Sequence, residues 1–307
     1  MLSNLLDNPK LFRDVVEDLP VGIFIVDHEG LIRFWNHGAE HFTGHLAHDV
    51  VGHVFEDVVR ACDRSGNSLM GERCLVTATL NGHRPQASPA FFLHKSGHRF
   101  AVTVRTLPIL EYGDAIGGAT VLFEETSSYR EEWPGLAVYG CLDAITGIPS
   151  RRLTKAVLNE CIAGVDESHI GFGLLRIRVL GLEEFRLKHG PPSVAPFLRS
   201  AAHTLRHTLS NEDFLGCWEP NEFLAVLASA SPVTVATTAE TMWNLLSHSE
   251  ILWWGDRFLV ESEVASTVVT TGKGLESVLR DMKPSHSSAT ARAAVAGSAN
   301  GSTGRRG

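Results

Sequence analysis

Apolar positions near the start of the chain recur at helical spacing. Leu11, Val15 and Leu19, with Phe12 and Val16 beside them, form one stripe behind Asn8-Pro9, an N-cap followed by proline at the first helical position. Pro20 ends that helix. Gly22–Asp27 reads as a strand, His28-Glu29-Gly30 as a turn and Leu31–Trp35 as the returning strand. Short helices follow through Ala39–Val51, and Glu72–Leu80 reads as another, ended by Asn81-Gly82. Three strands then come at Ala90–Leu93, His98–Leu107 and Gly118–Glu124, with turns at Gly97 and Gly113-Asp114.

The pattern restarts after a break. Pro134-Gly135 interrupts any helix across the linker, residues 127–142, although Leu136–Leu142 can form a short one. No clean heptad supports a coiled coil there. Beyond it a helix runs to about Ile162, Gly171–Val179 is a buried strand and Pro192–Leu209 a helix. Asp213–Trp218 and Phe223–Leu227 form a hairpin around Pro220-Asn221, where Pro fixes φ and Asn tolerates a positive φ. A helix over Val233–Leu246 and a strand over Arg257–Val269 complete a β-α-β-β-α-β order that suits a ferredoxin-like core. Residues 284–307 turn to Ser, Ala, Gly and Thr and read as a disordered tail.

Composition narrows the setting. A length of 307 residues allows two domains, and a net charge of −8 argues against nucleic acid as a partner. No apolar run approaches the ~20 residues of a membrane span, and the first residues lack a signal peptide's basic start. Five cysteines without zinc-type pairing suggest a reduced, cytoplasmic location. Histidine is abundant, 15 residues, nine of them before residue 100.

Several pieces of the first half together resemble a PAS domain over residues 9–126. They are Leu19-Pro20-Val21-Gly22-Ile23, Val26-Asp27-His28-Glu29-Gly30, Phe34-Trp35-Asn36, Thr43-Gly44, His94-Lys95-Ser96-Gly97-His98 and Gly117-Gly118-Ala119. The resemblance implies a sensor and dimerisation module with a pocket between sheet and helices. It names no ligand, and no cofactor is expected. The Cys motif of flavin-reactive PAS domains is absent. The helix that would supply a haem ligand holds Cys74 and no His, with His83 just beyond. His41 and His45, with His48 a turn further, have the spacing of a metal chelate or of exposed polar residues on a short helix. Cys62 and Cys74 are a redox or metal pair, or two small buried hydrophobes. Trp35 and Phe42 read as core. The width of the N-terminal stripe suits a homodimer through this domain, or a helix that caps its own sheet.

The second half resembles the GGDEF family, which makes cyclic di-GMP from two GTP, over about residues 143–283. Asp143-Ala144-Ile145-Thr146-Gly147-Ile148-Pro149-Ser150-Arg151-Arg152 is similar to the family's opening motif Asp-x-Leu-Thr-Gly-Leu-x-Asn-Arg, in which the resemblance gives Asp143 and Arg151 structural roles. The whole chain thus reads as α+β, a PAS fold followed by a nucleotide-cyclase-type domain. Glu219-Pro220-Asn221-Glu222-Phe223 stands where the family has Gly-Gly-Asp-Glu-Phe.

By the same resemblance the chemistry is depleted. Magnesium on a triphosphate needs carboxylate oxygens. One alignment puts Gly181 at the strand's metal position and His189 at the guanine-binding Asn. The other puts Arg178 and Arg186 there. Both put Ala195 at the guanine-binding Asp. Glu219 and Pro220 replace the phosphate-approaching glycines, Asn221 replaces a metal acid, and Glu222 alone keeps its carboxylate. Lys283 has no Gly-Arg after it, and the product site, Ser210-Asn211-Glu212-Asp213, lacks its Arg. The expectation is a domain with no catalytic residue and no metal, acting by binding or dimerisation with a protein partner in cyclic di-GMP signalling. The alternative is a divergent diguanylate cyclase that uses Glu222 as its acid. One geometric expectation follows. If Arg178 holds the metal position, its guanidinium pairs with Glu222 in place of the cation, as a partly exposed pair contributing ~0–1 kcal/mol.

Overall fold

The computed structural model describes residues 9–82, 84–110, 116–126, 141–229, 231–271 and 274–287, in two compact units that divide after Thr126. The first unit is built on helix α1 (Pro9–Glu17), strands β1 (Gly22–Asp27) and β2 (Ile32–Trp35), helices α2 (His37–Thr43) and α3 (Leu75–Gly82), and strands β3 (Gln86–Leu93), β4 (Arg99–Leu110) and β5 (Ile116–Glu125). The strands form one antiparallel sheet in the order β2-β1-β5-β4-β3. Strand alternation sends Phe24, Val26, Phe92, Val102, Val121 and Phe123 to one face, where they make the core with Trp35 and Val76.

Asn36 joins the N-terminal segment to this sheet. It is fully buried, and its Oδ1 accepts from Ile23 N–H and, as the α2 N-cap, from Ala39 N–H, both at 2.8 Å. Its Nδ2 lies within 3.4 Å of the Val16, Leu19 and Val21 carbonyls. On α1 and just beyond it, Val15 and Leu19 are 52% and 37% exposed, so that part of the stripe is not spent on its own sheet. Two boundaries differ from expectation. Glu72 falls in a 3-10 turn (Gly71–Arg73) and α3 starts only at Leu75. β3 begins at Gln86 and carries Pro89, which the sheet edge tolerates.

The second unit runs α4 (Arg151–Ser168), β6 (Phe172–Val179), α5 (Leu182–His189), α6 (Val194–Arg206), β7 (Phe214–Glu219), β8 (Glu222–Leu227), α7 (Pro232–Ser247), β9 (Glu250–Trp253), β10 (Asp256–Leu259), β11 (Ser262–Val269), α8 (Leu275–Asp281) and β12 (Pro284–Ser287). The main sheet has the order β12-β11-β6-β8-β7. Without β12 this is the ferredoxin-like arrangement. Ile177, Val179, Phe223 and Ala225 face α5, α6 and α7, while Leu174, Leu224 and Val226 face α4 and α8.

Several segments depart from the sequence pattern. The expected strand Arg257–Val269 breaks at Val260-Glu261 into β10 and β11, and β10 pairs with β9 in a separate two-stranded hairpin. Helix α5 was not anticipated, because its charged surface gives little hydrophobic period. α4 extends to Ser168 and ends where His169 turns left-handed, φ +57°. Pro284–Ser287, assigned to a disordered tail, adds β12 to the edge of β11. The linker lies outside the described residues except for Cys141 and Leu142, and Leu142 forms a bridge with Pro149 rather than a helix.

Candidate functional site: the β7–β8 hairpin and its cleft

The hairpin around Pro220-Asn221 places the site. Asn221 is not among the described non-glycine residues with positive φ, which are His169 and Trp254, so the turn does not use the conformation expected of it. Its role is to lock the hairpin onto β6. Asn221 C=O accepts from Val179 N–H and Asn221 Nδ2 donates to Val179 C=O, both at 2.9 Å.

One residue on, Glu222 lies opposite Arg178 in the β6–β8 register and is 2% exposed. The expected pair is present: Arg178 Nε and Nη2 donate to Glu222 Oε2 at 3.2 and 3.1 Å. A second guanidinium went unnoticed in the sequence. Arg176 Nε donates to Oε1 at 2.7 Å and Nη2 to Oε2 at 3.0 Å, while its Nη1 reaches Leu279 C=O at 3.2 Å. The signal was available, since residues i and i−2 of a strand share a face. Glu263 on β11 stands 3.7 Å from Arg178, so two arginines meet two acids. The expectation of a partly exposed pair is corrected for Glu222, whose burial removes solvent screening on the carboxylate side.

On the other side of the hairpin lies a cleft of about 980 Å³. Gly181 lines it as the left-handed N-cap of α5 (φ +73°), as do Arg186 and Ala195. His189 does not. It packs between Phe185 and Phe258, ring centroids 4.5 and 5.1 Å away, with Nε2 buried and unpaired. Lys283 lines a separate hollow beside β11 and α8 rather than the cleft. Asp213 holds its own turn, accepting from Ser210 and from Ala228 N–H.

The opening motif folds as expected at Asp143, whose Oδ1 accepts from Thr146 N–H and Oγ1 at 2.8 and 2.7 Å. Arg151 ties the motif to the hairpin, 2.9 Å from Glu219 and 5.2 Å over the Trp218 ring. Arg186 is held by Glu183 at 2.8 Å. Both guanidiniums lining the cleft are thus engaged by carboxylates. Asp143, Glu183, Glu184 and Glu219 outnumber them, and the remaining lining is largely apolar. Cys217 also lines it. Burial first, then the Asp143 charge, push its thiol up to about 11 against a lowering bond from Thr146.

These residues do not fit a catalytic magnesium ion. The one retained carboxylate is neutralised by arginine, the neighbouring amide is spent on the backbone, and Gly181 offers no side-chain ligand. Among the described residues no group of three His, Cys, Asp or Glu side chains could hold a metal.

In the first unit a cavity of about 30 Å³ is lined by Phe24, Val59, Cys74, Phe92 and other apolar groups. His41 sits on α2, but Gly44 ends that helix at φ +73°, so His45 is not a turn further along it and the chelate spacing is lost. Cys62 and Cys74 are buried free thiols. Trp35 belongs to the core and Phe42 packs against it. His83 lies outside the described residues.

Comparison with protein families fixes the architecture. A PAS fold family matches residues 10–125, and the diguanylate cyclase GGDEF domain family matches residues 141–282. The chain is a PAS domain followed by a GGDEF domain. It is a signalling protein of these two modules. Among solved structures, the PAS–GGDEF chain is similar to the diguanylate cyclase SiaD of Pseudomonas aeruginosa in complex with its activator SiaC, at 19% identity and TM-score 0.45. That match covers 48% of this chain and 57% of SiaD. It is similar to the FimX GGDEF domain of Pseudomonas aeruginosa at 14% identity and TM-score 0.43, over 46% of this chain and 87% of that one. A PAS domain from Colwellia psychrerythraea matches at 17% identity and TM-score 0.31, over 38% of this chain and 94% of that one. No curated protein matches. Among the described residues, no helix is long and apolar enough to cross a membrane.

Proposed function

We propose that the GGDEF domain makes no cyclic di-GMP and acts by binding, under control of a PAS sensor that also forms a homodimer, in a cytoplasmic signalling system. The observation that carries this reading is Glu222. It is the only acid left in the altered signature loop's metal positions, and two guanidiniums neutralise it. Asn221 and Gly181 add no second acid. The partner of the domain is then another protein of the same signalling network.

The competing reading is a divergent diguanylate cyclase with Glu222 as its acid. The family of the domain and the open cleft speak for it, and the neutralised carboxylate speaks against it. Incubation of the purified chain with GTP and magnesium, followed by chromatography of the products, tests both. We expect no cyclic di-GMP above a protein-free control. Product that disappears in Glu222→Gln would establish the cyclase instead.

A further inference from the structure

Two features of the GGDEF domain lie outside the Glu222 cluster and suit each other. The first is the tip of the β9–β10 hairpin. Its two-residue loop is Trp254-Gly255, with φ +53° and +91°. Hairpin loops with two positive φ angles favour Asn-Gly, because a bulky L-residue is strained in the left-handed region. Trp254 is nevertheless placed there, and it is 91% exposed. The same hairpin presents Leu252 and Leu259, each more than half exposed, and Arg257, whose 65% exposed side chain is in a loose 3.7 Å pair with Glu250 and, with Leu259, borders a hollow beside Gly181, Leu182 and Glu184 of its own chain. A strained backbone position carrying a large, fully solvated apolar side chain is disfavoured twice over in the isolated domain, which points to a role outside it.

The second feature is the cleft beside Asn221. Its apolar floor includes Leu182, Val194 and Leu198, and its rim carries four carboxylates against two guanidiniums that are already paired. Such a cleft repels a triphosphate. It suits a large apolar side chain flanked by a cation, and Trp254 with Arg257 is a pair of that kind.

We infer that the cleft is the docking site for the β9–β10 hairpin of a second copy of this chain: Trp254 enters the apolar floor and Arg257 meets the surplus carboxylates of the rim. This rests on the non-catalytic reading of the domain, since the hairpin would fill the space a nucleotide needs. Reciprocal insertion of two tips into two clefts gives a closed two-fold contact.

The test is photocross-linking on the full chain. A benzoylphenylalanine replaces Trp254 in unlabelled protein, which is mixed with nitrogen-15-labelled wild-type chain under conditions of subunit exchange. Mass spectrometry then identifies the joined peptides. We expect the unlabelled tip joined to labelled peptides within residues 180–198. Joining within one chain, to other regions, or not at all overturns the inference. Ala195→Trp, which fills the cleft, is expected to reduce the cross-link at least tenfold. Arg257→Glu, which reverses the charge of an exposed side chain, is expected to reduce it about fivefold. An unchanged yield in Arg257→Glu removes the proposed charge match. Cyclic di-GMP production is assayed on the same sample. Product together with no cleft cross-link defeats both readings, whereas no product and no cross-link defeats only this one.

Discussion

The Arg176 guanidinium lies along the Glu222 carboxylate, Nε on Oε1 at 2.7 Å and Nη2 on Oε2 at 3.0 Å, from a strand position two residues before Arg178. Glu222 is buried, and Arg176 and Arg178 are 26% and 42% exposed at their side chains. Removing the buried acid from this triad leaves two cations facing each other in a half-dry site. We expect Glu222→Gln to lower the unfolding free energy by about 2 kcal/mol, less than a fully buried pair because both arginines keep some water. Replacing all three residues with methionine removes the charges together and is expected to recover most of that loss. Urea denaturation of the two variants checks the ordering. A Glu222→Gln variant as stable as the parent would mean the triad holds nothing in place.

The triad also shows what was legible in the chain. Arg178 opposite Glu222 followed from one of the two alignments with the family, the one that sets Arg178 at the metal position beside the hairpin. Arg176 was equally legible by alternation, yet an alignment-led reading looks only at positions the family uses. The core strands and the PAS sheet were visible as runs and alternations of Val, Ile, Leu and Phe. Helix α5 was not, because Glu183, Glu184, Arg186 and Lys188 cover it and only Leu182 and Phe185 are buried. The β9–β10 hairpin hid for another reason: Trp254-Gly255 is a poor turn signal, since tryptophan rarely accepts a positive φ. The packing of His189 between Phe185 and Phe258 was equally out of reach, because Phe258 comes from a distant hairpin.

His207, just after α6, gives the fold a pH dependence. Burial first, then the charges of His203 and Arg206, lower its pKa from 6.5 to about 4. Above about pH 6.5 the imidazole is neutral in both folded and unfolded chains. As the pH falls from 6.5 towards 4, the unfolded chain takes up a proton that the folded chain refuses, so stability declines across that window. The full shift would be about 1.4 kcal/mol per pH unit. Since His207 is only partly buried, we expect a loss of about 2 kcal/mol in total. Denaturation at pH 7 and pH 4.5 should show a smaller drop in His207→Gln than in the parent. Equal drops would place the dependence elsewhere.

Cys217 provides a chemical test of the cleft wall. A thiol pushed up to about 11 has only about one thiolate in a thousand at pH 8. We expect Cys217 to resist iodoacetamide in the folded chain at that pH and to react readily once the chain is unfolded in urea. Peptide mass spectrometry after a short exposure reads the modified fraction. Rapid modification of Cys217 in the folded state would mean the cleft wall opens to solvent.

Restoring one metal acid by itself should not restore metal binding. Asn221→Asp recreates a carboxylate at the third position of the signature loop, but Glu222 beside it stays bound to Arg176 and Arg178. The substitution also removes the Nδ2 bond to the Val179 carbonyl and sets a carboxylate against that oxygen, so a loss of about 1 kcal/mol is expected without magnesium. If arginine does the work of the cation, adding magnesium will not raise the melting temperature of Asn221→Asp. The response should emerge only when Arg176 and Arg178 are also changed to uncharged residues, which removes the positive charge beside the loop, because an ion that binds only the folded state raises its apparent stability. A magnesium-dependent rise in the single variant would show that the guanidiniums yield to a cation, and the exclusion of metal by arginine would have to be abandoned.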